Sequence, residues 1–454
     1  MPASLKQGVI TLIPKPNKDK LFLENWRPIS LLNNDTKIFS LIFAKRLKKN
    51  LNTIIDEEQS GFLKGRYIGN NIRLILDLID YRHLISDDCF ILFIVFYKAF
   101  DTIEHQFMFK VIDFFGFGHF FQKTIRTLYN GCNSSVQLSH GTSQRFDMGR
   151  GIGQGCPISP FLFILVTQVM AAHVKKASFQ GISVFGKEIK LRQLADDTTI
   201  FVKNSEEIDE VIKCIEEFSR ISGLKMNKNK STLFSLKDCF LKEICGIPIK
   251  DEVTHLGIKV CKDLTQRSLL NFDPIIEKIK NRFNMWLMRD LSLYERVLLS
   301  KAEGLSRSVY ISMSTDVPKK VVRELDKILY DFIWKKKIHY LRKDIINNNR
   351  DFGGLEVLNF TDLNNVFEIK WIIEFIKNKD SVWNVFPNYI FNSLGGINFL
   401  LKSNFSVEKI PVKMANFHKQ ALLAWQLIYK HNFSPHRYFI WNNKDILYKK
   451  KVNL

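Results

Sequence analysis

Leu194-Ala195-Asp196-Asp197-Thr198-Thr199-Ile200-Phe201-Val202 joins two adjacent carboxylates to a run of β-branched and aromatic residues. Thr198 to Val202 reads as a strand and Val184 to Lys190 as another, so the spacing predicts a hairpin with the acidic pair near its tip. Two carboxylates side by side between apolar strands repel one another unless a cation sits with them, and a divalent metal is the natural partner. Taken alone, the pair is better explained by a solvated turn. The surrounding sequence separates the two readings.

Upstream, Phe90-Ile-Leu-Phe-Ile-Val-Phe96 is a continuous apolar run, the pattern of a strand buried on both faces near the centre of a sheet. Asp101-Thr-Ile-Glu104 has the spacing of a capping box and predicts a helix start. A glycine-rich loop, Gly149-Arg-Gly-Ile-Gly-Gln-Gly155, leads into an apolar helix from Pro157 to about Ala177 with proline in its first turn. Ile208, Val211, Ile212, Ile215 and Phe218 mark an amphipathic helix that stops at Gly223. Toward the N-terminus, Gly8 to Ile13 reads as a strand. Thr36 to Ile55 reads as a basic helix whose apolar positions are Ile38, Phe39, Ile42, Phe43, Leu47 and Leu51. A polar loop from Asp56 to Arg66 and an apolar helix from Asn70 to about His83 follow. Beyond residue 262 helices dominate, with Asp273-Pro274 as cap and first position of one, then Leu293 to Tyr310 and Pro318 to Lys335. The mixture predicts an α+β fold with an antiparallel sheet backed by helices.

The chain has 454 residues, of which 46% are hydrophobic and 25% charged, which predicts folded domains rather than disorder. Its net charge of +21 favours a polyanionic partner. Residues 91–260 hold 21 basic and 17 acidic residues, net +4, so +17 lies outside them. Lys45-Arg46-Leu47-Lys48-Lys49, Lys335-Lys336-Lys337 and Lys449-Lys450-Lys451 are the densest runs and suggest a backbone-binding surface around a nearly neutral centre. The longest apolar run, Cys89 to Tyr97, falls far short of the roughly 20 residues that span a bilayer, so no membrane partner is expected. Seven cysteines without a CxxC pair or zinc-type histidine spacing read as free thiols in a reducing compartment.

Seven stretches in a fixed order give a resemblance to a family. Asn25-Trp-Arg-Pro-Ile-Ser-Leu-Leu-Asn33 and Gln59-Ser-Gly-Phe-Leu-Lys-Gly-Arg66 resemble fingers motifs of the reverse transcriptases of non-LTR retrotransposons, the long interspersed element kind. Lys98-Ala-Phe-Asp101 resembles the end of motif A, Gly151 to Pro160 motif B, and Leu194 to Asp197 motif C. Ser222 to Ser231 resembles motif D and His255-Leu-Gly-Ile258 motif E. The resemblance covers almost the whole chain. It implies a right-hand polymerase with fingers over 1–88, palm over 89–262, a helical thumb over 263–345 and a helical C-terminal region over 346–454. It implies an RNA template, a DNA primer, deoxynucleotides, two Mg²⁺ ions, and a setting in cytoplasm and nucleus.

Residue by residue, the resemblance makes Asp196 a metal ligand with Asp197 beside it. It places Phe100 as an aromatic gate against a ribose 2′-hydroxyl. It sets Gln154 and Gly155 where backbone approaches template base and nucleotide, and one of Lys225, Lys228 and Lys230 at the pyrophosphate. Arg27, Lys64 and Arg66 become candidates for phosphate contacts, and Leu256 and Gly257 for a primer grip.

Three departures qualify the match. The family's first motif A aspartate stands six positions before the Asp of Lys-Ala-Phe-Asp, and here that position is Val95. Gly153 replaces the usual arginine, and Leu194 the usual Phe or Tyr. The expectation is a truncated, crippled copy. It lacks the apurinic-type endonuclease and the Cys/His knuckle of longer members and so does not nick its own target. Two alternatives stand beside it: an inactive RNA- or RNA/DNA-binding remnant, and a group II intron maturase-like protein.

Overall fold

The computed structural model describes residues 2–16, 18–153, 155–402 and 406–432. Gln154 and the Lys449-Lys450-Lys451 run lie outside the described residues. The chain divides into two units, one of residues 1–68, 87–183 and 188–250, the other of residues 69–86, 184–187 and 251–454.

The first unit is built on two sheets. In the larger, the Gln7–Pro14 strand pairs antiparallel with Trp26–Leu32 and parallel with Asn133–Leu138. The smaller is fully antiparallel, in the order Thr232–Ser235, Phe90–Ile94, Asp197–Val202, Leu191–Leu194. All five residues of Phe90–Ile94 are buried, as expected of an interior strand. The Ser159–Lys176 and Glu207–Ser222 helices share one hydrophobic core with this sheet, through residues such as Phe163, Val166, Ile212 and Phe218. Gly223 closes the latter helix at φ +82°, and a Cβ there would run into the Thr102 carbonyl.

The second unit is mostly helical. Its Glu252–His255 and Ile258–Cys261 strands form a hairpin, followed by the Leu264–Leu287 helix. The Gly69–Asp80 helix carries an ion pair where the apolar pattern suggested only packing. Arg73 Nη2 lies 2.9 Å from Asp77 Oδ1, with the two side chains 1% and 0% exposed. Arg267 joins through Asp80 at 2.6 Å, and Tyr81 Oη and His418 Nδ1 are 2.8 Å apart.

Several elements differ from the sequence expectation. Asp197–Val202 pairs with Leu191–Leu194, not with Val184–Lys190; the buried Arg192 and Gln193 break the apolar signature that would have marked the true partner. The expected capping box at Asp101 is not formed. Ala99–Thr102 is a four-residue helix, and the next helix, His105–Phe114, begins after Glu104, which makes no side-chain cap bond. Hydrogen bonds explain the break: Ile152 N and Gly151 N donate to the Phe100 and Ile103 carbonyls at 2.6 and 2.8 Å, and these hold the segment open. Pro274 sits inside the Leu264–Leu287 helix, which is capped instead by Asp263, its carboxylate accepting from Gln266 N at 2.6 Å. The Leu293–Tyr310 stretch is helical but broken by a π turn at Ser300–Leu305. In the Asn34–Ile54 helix, Phe43, Leu47 and Leu51 are buried, whereas Ile38, Phe39 and Ile42 are exposed.

Candidate active site

Leu194 pairs with Asp197, so Ala195 and Asp196 form a two-residue hairpin turn. Ala195 has φ +55°, a region that favours glycine, so outside contacts must hold it. Gln59, 1% exposed, supplies them. Its Oε1 accepts from Ala195 N and from Gly61 N, both at 2.8 Å, and its Nε2 donates to the Ala195 carbonyl and to Thr167 Oγ1, both at 3.3 Å. Gly61 completes the fit, since a Cβ there would lie 2.6 Å from Ala195 N. The stretch likened to a fingers motif therefore buttresses the acidic turn from below. Sequence reasoning missed Gln59 as part of the site; its one signal is a glutamine two residues before a glycine.

Strand register places the missing carboxylate. The ladder ends at the Thr198–Ile94 pair, so Val95 and Asp197 are the residues flanking that last pair, one on each strand. Val95 and Asp197 therefore stand at the same end of the sheet. Val95 is 38% exposed, unlike the buried strand before it. Its N–H donates to Ser231 Oγ at 3.1 Å and its carbonyl accepts from Asn227 N at 2.8 Å. The motif D segment thus fixes the Val95 backbone and leaves its side chain open to solvent.

The two carboxylates are sequence neighbours, and among the described residues no cationic side chain bonds to either. Burial pushes the Asp196 carboxyl above its ordinary range. Desolvation by the surrounding strands, then the neighbouring charge of Asp196, pushes Asp197 up to about 6, although its side chain still reaches solvent. Among the described residues no group of three or more His, Cys, Asp or Glu side chains is placed to hold a metal ion. Two adjacent carboxylates suit one ion. They do not provide the donor set for two, because a carboxylate from a second strand is needed to bridge and Val95 has none.

The remaining candidates scatter. Phe100 stacks on Phe163 with ring centroids 4.2 Å apart and packs against the core, partly exposed. Gly155 has φ +108°, and a Cβ would come within 2.7 Å of the Ser30 carbonyl, so the loop is compatible with glycine alone. At Gly153 a Cβ would meet open space, so nothing in the fold explains the loss of a larger side chain there. Arg27 is exposed on the outer strand of the larger sheet. Arg66 donates to the carbonyls of Ile55 (2.5 Å), Gln59 (2.7 Å) and Asp56 and thereby ties the end of the Asn34–Ile54 helix to the Gln59 loop. Lys64 is exposed. Lys228 pairs with Glu216 at 2.9 Å, whereas Lys230 is exposed and immediately precedes Ser231. Leu256 and Gly257, at φ +48° and +78°, form the turn of the hairpin in the second unit, where the Leu256 carbonyl accepts from Tyr310 Oη at 2.5 Å.

Comparison with known proteins gives the context for this arrangement. Residues 13–260 match the family described as reverse transcriptase (RNA-dependent DNA polymerase). The chain is 26% identical over 385 residues to the transposon TX1 uncharacterized 149 kDa protein of Xenopus laevis, covering 83% of this chain and 29% of that one. It is 26% identical over 273 residues to the retrovirus-related Pol polyprotein from type-2 retrotransposable element R2DM of Drosophila melanogaster, covering 57% and 25%. It therefore spans about a quarter to a third of the length of these relatives. Among solved structures, the telomerase of Candida albicans in complex with a fragment of telomeric RNA aligns with 83% of this chain and 65% of that one, at 12% identity and a TM-score of 0.43. No helix among the described residues is long and apolar enough to cross a membrane.

Proposed function

This chain belongs to the reverse transcriptase (RNA-dependent DNA polymerase) family, of the non-LTR retrotransposon kind, and from that premise we propose that it grips an RNA template and DNA primer but extends the primer very poorly. One observation carries the reading: Val95, next to the last strand pair Ile94–Thr198 and so at the same sheet end as Asp197, is an exposed valine where a bridging carboxylate would stand. The family's chemistry transfers a nucleotidyl group between divalent ions, and the residues present do not fit a pair of ions. What the chain retains is binding and orientation. Gln59 and Gly61 hold the acidic turn, Asn227 and Ser231 hold the motif A backbone, and Gly155 keeps a loop that only glycine tolerates. The functional division proposed is fingers over 1–88, palm over 89–262, thumb over 263–345 and a C-terminal region over 346–454. Deoxynucleotides, gated by Phe100, are the proposed substrates of any residual synthesis. The seven free thiols support a reducing setting, in cytoplasm and nucleus.

Primer extension on an RNA template in Mg²⁺ tests the reading, comparing the chain with Val95→Asp. If the missing carboxylate forfeits about 4 kcal/mol of transition-state stabilisation, the native chain is slower by roughly a thousandfold. Rescue by Val95→Asp supports an enzyme crippled at one residue. Robust synthesis by the Val95 form sinks that account. Hybrid binding without extension by either form favours the second reading, a remnant that keeps only the grip, which the exposed Val95 also supports.

A further inference from the structure

In the second unit, the chain leaves the Lys319–Ile333 helix through a segment that sets large apolar side chains in water among positive charges. Every residue from Lys335 to Ile345 is exposed. Ile338 and Tyr340 keep 78% and 75% of their surface open, and Leu341 and Ile345 are exposed beside them. Neighbouring apolar groups left in water and rimmed by polar ones mark a surface that a partner covers.

The backbone keeps lysine here against its own preference. Lys335 and Lys336 have φ of +51° and +57°, the left-handed region that glycine or asparagine adopts most readily at a helix end. Lys336 N donates to the Asp331 carbonyl at 2.6 Å and Lys337 N to that of Trp334 at 3.0 Å, which holds the turn. The chain then enters residues 338–340, which belong to no helix or strand. Glycine would make this turn with less strain, so what lysine adds is its side chain. Lys335 Nζ lies 3.6 Å from the exposed Asp290, and Lys336 Nζ donates to Asn284 Oδ1 at 3.0 Å. Such exposed contacts are weak, and both ammonium groups stay available to a phosphate.

The surface selects the chemistry of its partner. Residues 335–343 include five basic and no acidic side chains, so the partner is an anion with repeated charge. Arg342 is paired with Asp344 at 2.6 Å and Lys343 lies over the Tyr330 ring at 4.4 Å, which leaves the lysine run as the less committed charge. Tyr340 is braced: its ring meets Trp334 at 5.7 Å and 62°, and Trp334 belongs to the core that includes Tyr330 and Ile333. A braced, open aromatic ring beside cations suits a strand whose bases are free to stack. A duplex hides its base faces in its own stack. An anionic bilayer calls for a helix with one apolar face, which this segment does not form.

We propose that residues 335–341 bind single-stranded nucleic acid, with Tyr340 stacking on an unpaired base and Lys335, Lys336 and Lys337 meeting the phosphates beside it. This rests on the reading that nucleic acid is the chain's partner, and it assigns unpaired strand to a surface of the second unit. RNA and DNA single strands share this chemistry, and the experiment separates them.

Fluorescence anisotropy with the full chain would compare oligouridine, oligothymidine and an abasic strand, each of about 12 nucleotides and equal charge. At least one base-bearing strand should bind roughly tenfold tighter than the abasic one, a difference of about 1.4 kcal/mol, and the stronger arm identifies the sugar. Tyr340→Leu keeps an apolar side chain without a ring and should bring that strand down to the abasic affinity, whereas Tyr340→Trp should preserve the preference. Lys335→Gly/Lys336→Gly suits the positive φ and should melt no lower than the native chain. Its plot of log affinity against log salt should be shallower by about 1.4, two contacts at about 0.7 each. Equal native affinity for base-bearing and abasic strands, or a preference that Tyr340→Leu leaves intact, overturns the proposal. Native binding to phosphatidylserine vesicles that Tyr340→Leu abolishes, with single strands still bound, would assign the segment to a membrane surface and overturn it as well. Binding of an RNA/DNA hybrid without binding of any single strand overturns the proposal and leaves the grip reading standing, whereas failure to bind any nucleic acid removes that reading itself.

Discussion

At the residue scale, the acidic pair is poised by desolvation and by the repulsion of its two neighbouring charges, although Asp197 itself still reaches solvent. The folded carboxyl of Asp197 is pushed up to about 6, above the ordinary Asp value near 3.9. A raised carboxylate pKa destabilises the fold once the group ionises, so stability should rise as pH falls from 7 through 6 toward 4, where this group's contribution is fully recovered. Thermal melts across that window should show the rise, and Asp197→Asn should flatten it while raising the melting temperature at pH 7. A melt that is flat, or that falls on acidification in the native chain but not in the variant, would count against the burial argument. Val95→Asp adds a third carboxylate at the same end of the sheet. That variant should melt lower than the native chain in chelator, and Mg²⁺ should raise its melting temperature more than it raises that of the Val95 form.

At the element scale, the acidic hairpin depends on a loop far away in sequence. Gln59→Leu leaves Ala195 N–H, its carbonyl and Gly61 N–H without their partner, and removes the contacts that hold Ala195 at positive φ. A loss of about 1 to 3 kcal/mol is expected in denaturant unfolding, and a change under about 0.5 kcal/mol would show that the turn holds itself. The elements that were legible in the sequence are those whose own residues decide them. Phe90–Ile94 announces itself by five consecutive buried apolar residues, and Glu207–Ser222 by its apolar stripe and terminal glycine. The pairing of the acidic strand was not legible, because Leu191–Leu194 buries Arg192 and Gln193 on tertiary contacts that no local pattern encodes. Arg192 Nη1 donates to the Glu57 carbonyl at 2.9 Å, and Gln193 N donates to the Glu58 carbonyl at 2.8 Å. The same holds for Asp101, whose expected cap gives way to the Gly151–Ile152 contacts, and for Asp273-Pro274, where a cap ten residues earlier wins. Of the site itself, Asp196, Asp197 and Val95 were readable from motif spelling. Gln59, Asn227 and Ser231 were not, since each acts through backbone groups of residues distant in sequence.

At the scale of the whole molecule, two distributions of charge have different consequences. The buried network in the second unit is internal: Arg73 with Asp77 and Asp80, then Arg267 and His418. Arg73→Leu strips the buried Asp77 of its closest cation and leaves Asp80 with Arg267 alone, and should cost about 3 to 5 kcal/mol, whatever the ionic strength. The surface charge behaves in the opposite way. The +17 lying outside residues 91–260 sits in part on exposed runs such as Lys45, Arg46, Lys48 and Lys49 on the solvent face of the Asn34–Ile54 helix. Such residues hold phosphates by displacing condensed counterions, so affinity for an RNA/DNA hybrid should fall linearly in log salt. Even four neutralised phosphates would lower it roughly a hundredfold between 50 and 200 mM salt. Alanine at Lys45, Arg46, Lys48 and Lys49 together should make that slope shallower while leaving the melting temperature nearly unchanged, because exposed charges contribute little to folding. A native slope near zero would remove the electrostatic basis for a nucleic-acid grip. A steep slope untouched by the quadruple variant would instead move the phosphate contacts to other basic residues, such as Arg27 and Lys64 or those beyond position 260.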